Sequence, residues 1–293
     1  MVGKIKQTIK INNLVIVSDL HVGCSYGLCP PGGLSIDGGG LYYPNNHQLE
    51  MWQKWREFWD VWIPKVCHKE HFILIVNGDS IDGVHHGTIT QITHNLTYQR
   101  LGAEEIIKEI VNRDDCEALY FIRGTEAHVG KSGQEEEQLA RTLGAIPNQD
   151  GQYARWELWF QLHNALVHVA HHIGGTGASA YESTAIMREL VNAYTEAGRW
   201  KQQVPDIIAR SHRHRNAEVR VPSAIGYGIA FTTPGWQLKT PLVYRTNMKL
   251  QSPQIGGSVI RAGDEDIYTR HKVWDIKLSE VEKYGAISGS KNN

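Results

Sequence analysis

Residues 14–23 read Leu-Val-Ile-Val-Ser-Asp-Leu-His-Val-Gly, and residues 72–79 read Phe-Ile-Leu-Ile-Val-Asn-Gly-Asp. Each begins as an unbroken apolar run, largely β-branched, and stops abruptly on polar residues. Neither alternates apolar with polar positions, so both predict strands covered on two faces, as in a sheet packed from both sides. Each run also delivers an Asp immediately past its end, where open α/β sheets place their sites.

Working outward, residues 118–122 and 206–209 repeat the pattern. The first stops at Arg123-Gly124-Thr125-Glu126 and the second at Arg210-Ser211-His212. Residues 153–162 and 165–170 predict two neighbouring strands turning at His163-Asn164, with His171 just beyond. Helices are expected at 49–62, 96–111, 134–143 and 181–197. In the first, Trp52, Trp55, Trp59 and Trp62 recur at three- and four-residue steps, which reads as a core stripe ended by Pro64. Residues 24–46 are rich in Gly and Pro and predict an irregular insertion loop beside the site. The C-terminal part, 216–293, is β-rich, with strand-like runs at 217–221, 229–233 and 273–278. The expectation is an α/β fold, a layered sandwich of two mixed sheets flanked by helices, formed by residues 1–293 as a single domain.

A 293-residue chain with 41% hydrophobic and 21% charged residues has the make-up of an ordinary globular protein. Its net charge of -1 gives no global attraction to nucleic acid or membrane. Cys24, Cys29, Cys67 and Cys116 form no C-x-x-C pair, so no zinc ribbon or thioredoxin-like site is indicated, while a Cys24–Cys29 bridge stays open. The apolar run 14–17 is too short for a signal core or a membrane span, and a cytoplasmic location is the default expectation. The 15 histidines are the unusual feature, several of them beside carboxylates.

In order, the polar residues at strand ends are Asp19 and His21, Asp79, Glu126 and His128, His171, then His212 and His214. Carboxylates and imidazoles suit Mn, Fe and Zn. Pairs at i and i+2 point the same way from an extended backbone, so Asp19/His21 and His212/His214 can each reach one cavity. The set exceeds the needs of one four- to six-coordinate ion and suits two.

These segments resemble the calcineurin-like metallophosphoesterases, whose pattern is D-x-H, G-D-x-x-D, G-N-H-[DE], a lone His, then G-H-x-H. Here the counterparts are V-S-D-L-H-V-G at 17–23, N-G-D-S-I-D-G at 77–83, A-H-H at 170–172 and S-H-R-H at 211–214. The resemblance spans about residues 15–215. It implies two divalent ions, Mn foremost, with Zn, Fe or Mg as alternatives. Asp19, His21 and His214 would hold one, His171 and His212 the other, with Asp79 bridging. His168 would stand behind the site.

The third motif departs from the family: R-G-T-E-A-H at 123–128 replaces G-N-H-[DE]. Two repairs are open. Glu126 takes the place of the Asn ligand and His128 serves as the general acid, the preferred version. Alternatively Thr125 or water completes the second ion and Glu126 handles protons.

The implied chemistry is phosphoester hydrolysis by water polarised between two ions about 3.5–4 Å apart. Arg123, Arg213 and Arg215 are placed to grip phosphate. A phosphodiesterase or nuclease acting on nucleic acid or nucleotide is favoured over a phosphomonoesterase, and a non-catalytic metal-binding scaffold is the rival class. No H-E-x-x-H occurs, against a metallopeptidase. Asp82 reads as a loop brace, His85-His86 as a solvated loop pair, and Trp236 as a packing residue.

Overall fold

Strand β1 (Asn13–Val17) is buried along its whole length because its side chains feed two cores alternately. Val15 and Val17 face one cluster, Leu14 and Ile16 the other, which is the two-residue period of a strand with both faces covered. The structure, a computed structural model, describes residues 11–85, 87–175, 179–223, 226–245, 252–263 and 267–275.

After β1 come a small hairpin, β2 (Leu34–Ile36) and β3 (Gly40–Tyr42), then helix α1 (Asn46–Glu57), a π-helical turn at Phe58–Trp62 and α2 (Ile63–Val66). Next are β4 (Phe72–Asn77), α3 (Leu96–Val111), β5 (Cys116–Ile122), α4 (Glu126–Val129) and α5 (Gln134–Thr142). The second half holds β6 (Ala154–Arg155), β7 (Glu157–Leu162), β8 (Ala165–Ala170), α6 (Glu182–Trp200) and β9 (Ile207–Arg210). It ends with β10 (Ala217–Ser223), β11 (Gly226–Thr232), α7 (Pro241–Arg245), β12 (Gln254–Ala262) and β13 (Ile267–Asp275).

The strands form a six-stranded sheet, β13-β12-β1-β4-β5-β6, and a five-stranded sheet, β10-β11-β9-β8-β7. Both are mixed: β1-β4-β5-β6 run parallel with β12 antiparallel to β1, and β8-β9-β11 run parallel between two antiparallel edges. Ile16, Ile75, Val167, Ile207 and Phe231 pack in the core where the sheets meet. A second core holds Trp55, Phe58 and Trp59 from the tryptophan stripe with Ile106, Ile107 and Leu139. In a third, Ile186 and Leu190 of α6 meet Ile208 and Ala230 of the five-stranded sheet. The fold is therefore α/β, two mixed sheets flanked by helices.

Three expectations change, and one strand joins them that the sequence reading did not contain. The 24–46 segment is not wholly irregular, since β2 and β3 pair across it. Pro64 does not end the helix: a π turn precedes it and it sits at the start of α2, where a missing N–H is harmless. The 153–162 run is divided, with β6 at the edge of one sheet and β7 at the edge of the other. Finally β12, whose Ile255-Gly256-Gly257-Ser258 start is weak in strand formers, lies beside β1 in the larger sheet. Gly257 earns that place because a Cβ there would stand 2.7 Å from the Phe58 ring. Of the predicted 273–278 run, 273–275 lie in β13 and 276–278 lie outside the described residues. The cysteines are free, so no Cys24–Cys29 bridge forms.

Candidate metal centre

Among the described residues, nine non-glycine residues have positive φ, and five of them are Asp19, His21, Asp79, His212 and His214. Such conformations cost about 1 kcal/mol or more each for ordinary residues and persist only where the surroundings impose them. Their concentration on the predicted ligands also revises the sequence argument. Asp19-Leu20-His21 and His212-Arg213-His214 do not project side chains from extended backbone; they are wound into left-handed turns past β1 and β9. Hydrogen bonds fix these turns to one another: Asp19 N donates to Gly78 O (2.9 Å), His21 N to Asp79 O (3.0 Å) and Ser211 N to His171 O (2.9 Å).

The side chains converge in two groups. In the first, His214 Nε2 is 3.2 Å from both Asp19 Oδ1 and His21 Nε2. Asp19 Oδ1 is buried with no hydrogen bond that meets full geometry among the described residues, and the two imidazole nitrogens beside it are metal-capable donor atoms within reach of one another. Burial pushes the Asp19 carboxyl up, but His214 and His171 pull harder and hold it at about 2. In the second group, His171 Nε2 is 3.0 Å and His212 Nδ1 4.0 Å from Asp79 Oδ2. His171 Nδ1 donates to Asn77 O at 2.7 Å, which turns Nε2 toward the centre. Asp79 belongs both to this group and to a further one with His21 and His128, and His21 in turn belongs to the first group, so shared residues link the three. Buried Asp19 and Asp79 with four imidazoles suit borderline divalent ions.

The third motif resolves differently from the preferred expectation. Glu126 is exposed at the first residue of α4 and belongs to none of the ligand groups among the described residues. Thr125 takes the inward position: its hydroxyl donates to Asp79 Oδ2 (3.0 Å) and lies 3.2 Å from His212 Nδ1 and 3.4 Å from His171 Nε2. The physical reason is the turn itself. Thr125 N donates to Asp79 Oδ1 at 2.6 Å and a Cβ on Gly124 would overlap that oxygen, so the backbone at 124–125 lies against Asp79, while Glu126 opens α4 with an exposed side chain. His128 does reach the centre, with Nε2 4.0 Å from Asp79 Oδ2 and its ring 4.5 Å from that of His21. Because a carbonyl only accepts, the 2.6 Å contact of Nδ1 with Asp82 O puts the proton on Nδ1. Burial pushes His128 down to about 4 despite Asp79 nearby. With its proton on Nδ1, the ring turns Nε2 toward Asp79.

Two expected phosphate-gripping residues part company. Arg123 is turned away, donating to Ser132 O (3.0 Å) and Glu137 Oε2 (3.3 Å) over the Trp156 ring. Arg215 lines a cavity beside the centre and is held by Glu182 at 2.5 Å. His168 lies on the far side of β8, against Glu157, Trp159 and Arg210, and is not behind the site. His85 is not solvated but packs 4.3 Å from His128, while His86 lies outside the described residues. Trp236 is a packing residue, buried 4.8 Å from the Trp55 ring.

Sequence reasoning missed the scaffold of the centre. Asp82 is more than a loop brace: its Oδ1 is 3.2 Å from His21 Nδ1 and accepts from Gln237, while Oδ2 accepts from Gln91. Buried Glu136 accepts from Ser80 N, Ser80 Oγ and Gly124 N, tying the Asp79 turn to the Thr125 turn. Between the sheets runs a chain of hydroxyls. Asn77 Nδ2 donates to Ser211 Oγ (2.6 Å), Ser211 Oγ and Thr233 Oγ1 share a hydrogen bond (2.7 Å), as do Thr233 Oγ1 and Ser18 Oγ (2.7 Å), and Ser18 Oγ donates to Pro234 O (3.4 Å). Ser18, Asn77 and Ser211 lie within two residues of Asp19, Asp79 and His212, so the chain fixes three ligand-bearing strand ends. Thr233→Val is expected to lower stability by about 1–3 kcal/mol in urea unfolding and to weaken metal binding about 10–100-fold. Thr233→Ser should restore both, and unchanged metal binding in the Val variant would contradict this role.

No family model matches the chain, and no curated relative does. Solved structures similar to it include an archaeal phosphodiesterase (10% identity, TM-score 0.40, 89% of this chain and 99% of that one). Vacuolar protein sorting 29 from Cryptosporidium parvum is another (8%, 0.37, 90% and 98%). A third is a predicted phosphoesterase from Streptococcus pneumoniae (9%, 0.32, 90% and 98%). These are likenesses of general layout, and function has to be read from the side chains. Among the described residues no helix is long and apolar enough to cross a membrane.

Proposed function

We propose that this chain is a metal-dependent phosphoester hydrolase with a two-ion centre, acting on phosphodiesters. The observation that supports it best is a run of three candidate ligand groups linked by shared residues: Asp19, His21 and His214; His21, Asp79 and His128; and Asp79, His171 and His212. Two divalent ions, Mn foremost, would acidify a water and neutralise charge on the phosphoryl oxygens. The chain's own residues supply the rest. Thr125 positions Asp79 through its amide and hydroxyl, and Asp82 orients His21 from behind. His128, with an unprotonated Nε2, takes up a proton near Asp79. Arg213 and Arg215 supply positive charge where the phosphate's substituents lie. A scaffold that only kept the fold would have no use for five strained residues, in three turns, that bring Asp and His side chains together.

The test is metal add-back. Chelated protein is reloaded with Mn, Zn or Mg and assayed on bis-p-nitrophenyl phosphate, p-nitrophenyl phosphate and single-stranded DNA. Turnover of the diesters that returns with metal is expected, with the monoester slower. Metal binding without turnover of any phosphoester would leave the scaffold role standing instead.

A further inference from the structure

We propose that Glu136 is a charge-balancing residue of the metal centre: a buried carboxylate whose counter-charge is the bound metal, and whose own charge strengthens metal binding from behind the ligands. The inference rests on the two-ion reading and adds a residue that touches no ion.

Helix α5 carries three glutamates in its first turn, and their surroundings differ. Glu135 pairs with Arg100 at 2.7 Å, and Glu137 pairs with Arg123 at 3.3 Å. Glu136, between them, is fully buried and has no ion pair among the described residues. Neutral donors alone fill its oxygens. Oε1 accepts from Ser80 N (3.0 Å) and Ser80 Oγ (2.9 Å), and Oε2 accepts from Gly124 N (2.6 Å). Ser80 follows Asp79 and Gly124 precedes Thr125, so the carboxylate lies against the two turns that meet at Asp79. Such hydrogen bonds favour the charged form but do not cancel its charge. Burial and the nearby Asp79 carboxylate push Glu136 up to about 7, as expected of an anion that lacks a cation.

The same shortage runs through the centre. Asp19, Asp79, Asp82 and Glu136 are all buried, and among the described residues no lysine or arginine pairs with any of them. The partners of the three aspartates are histidines. Four carboxylates match the charge of two divalent ions, whereas Asp19 and Asp79 alone match half of it. Affinity for a hard or borderline cation follows the negative charge around it, including groups behind the ligands. A carboxylate that only knotted the two turns together would serve the chain equally with and without metal. That difference decides the test.

Mn or Zn is titrated calorimetrically into chelated protein at pH 8, and melting temperatures are taken with and without metal. Glu136→Gln keeps the shape and one acceptor oxygen but removes the charge. It is expected to bind metal about 10–100-fold more weakly than wild type. Its chelated form should melt within about 4 °C of wild type, because removing an unbalanced buried charge offsets the lost Gly124 bond. Glu136→Asp keeps the charge at shorter reach and should hold metal within about threefold of wild type, even if it melts lower. Unchanged metal affinity in the Gln variant overturns the assignment, and so does a Gln variant that fails to fold without metal. An Asp variant that binds as weakly as the Gln variant overturns it too, since hydrogen bonding and not charge would then be the cause. Wild type that takes up no divalent ion defeats the two-ion reading itself, which keeps the two failures apart.

Discussion

Asp79→Asn is expected to lower kcat/KM on a diester by about a thousandfold or more, roughly 4 kcal/mol of transition-state stabilisation, while leaving the chain folded. The argument lies in the two oxygens. Oδ1 accepts from Thr125 N at 2.6 Å, and an asparagine oxygen keeps that bond. Oδ2 is where His171 Nε2 (3.0 Å), the Thr125 hydroxyl (3.0 Å), His212 Nδ1 (4.0 Å) and His128 Nε2 (4.0 Å) converge. An amide NH₂ there turns an acceptor with negative charge into a donor pointing at the place a cation needs. Metal counting by atomic emission should find the variant unable to keep two ions per chain, with circular dichroism unchanged. Activity within tenfold of wild type would remove Asp79 from the centre of the mechanism.

Much of this centre was legible because the chemistry of a ligand is written in its residue type. Asp19, His21, Asp79, His171, His212 and His214 stand just beyond apolar runs, and the strand predictions at β1, β4, β8 and β9 place them at one end of two sheets. For two pairs the i, i+2 spacing predicts convergence from extended backbone, whereas the φ angles at Asp19 (55°), His21 (45°), His212 (73°) and His214 (52°) make left-handed turns. Thr125 against Glu126 was decided by backbone approach, since Thr125 N bonds Asp79, and no ranking of side chains as ligands carries that information. The supporting groups were invisible for another reason. Ser18 and Thr233 are 215 residues apart, Ser80 and Glu136 are 56 apart, and neither pair forms a local pattern. Likewise β12 owes its place to pairing with β1 and β13, a tertiary effect that outweighs the weak strand tendency of its glycines.

Metal uptake should release a proton well above the usual histidine range, and affinity should rise with pH accordingly. Burial alone would push His171 down, but Asp79 and Asp19 beside it outweigh burial and raise it to about 10. In the metal-free protein the ring is therefore protonated at pH 8, with Nδ1–H on Asn77 O and Nε2–H on Asp79. A metal ion needs that Nε2 lone pair, so binding expels the proton. Between about pH 7 and 9, affinity at this position should rise about tenfold per pH unit and level off near pH 10. An unperturbed histidine would show no such slope above about 6.5. The same shift fixes the sign for stability without metal. A folded-state value above the unfolded one stabilises fully below about 6.5, and that contribution disappears as pH rises through about 10. The melting temperature of chelated protein should accordingly fall across that window, and metal-loaded protein should be spared, because the ion replaces the lost positive charge. Calorimetry at pH 8 in two buffers of different ionisation enthalpy counts the proton directly. Finding none released would mean that His171 is neutral before the metal arrives and that the Asp79–His171 pair does not hold the charge assigned to it.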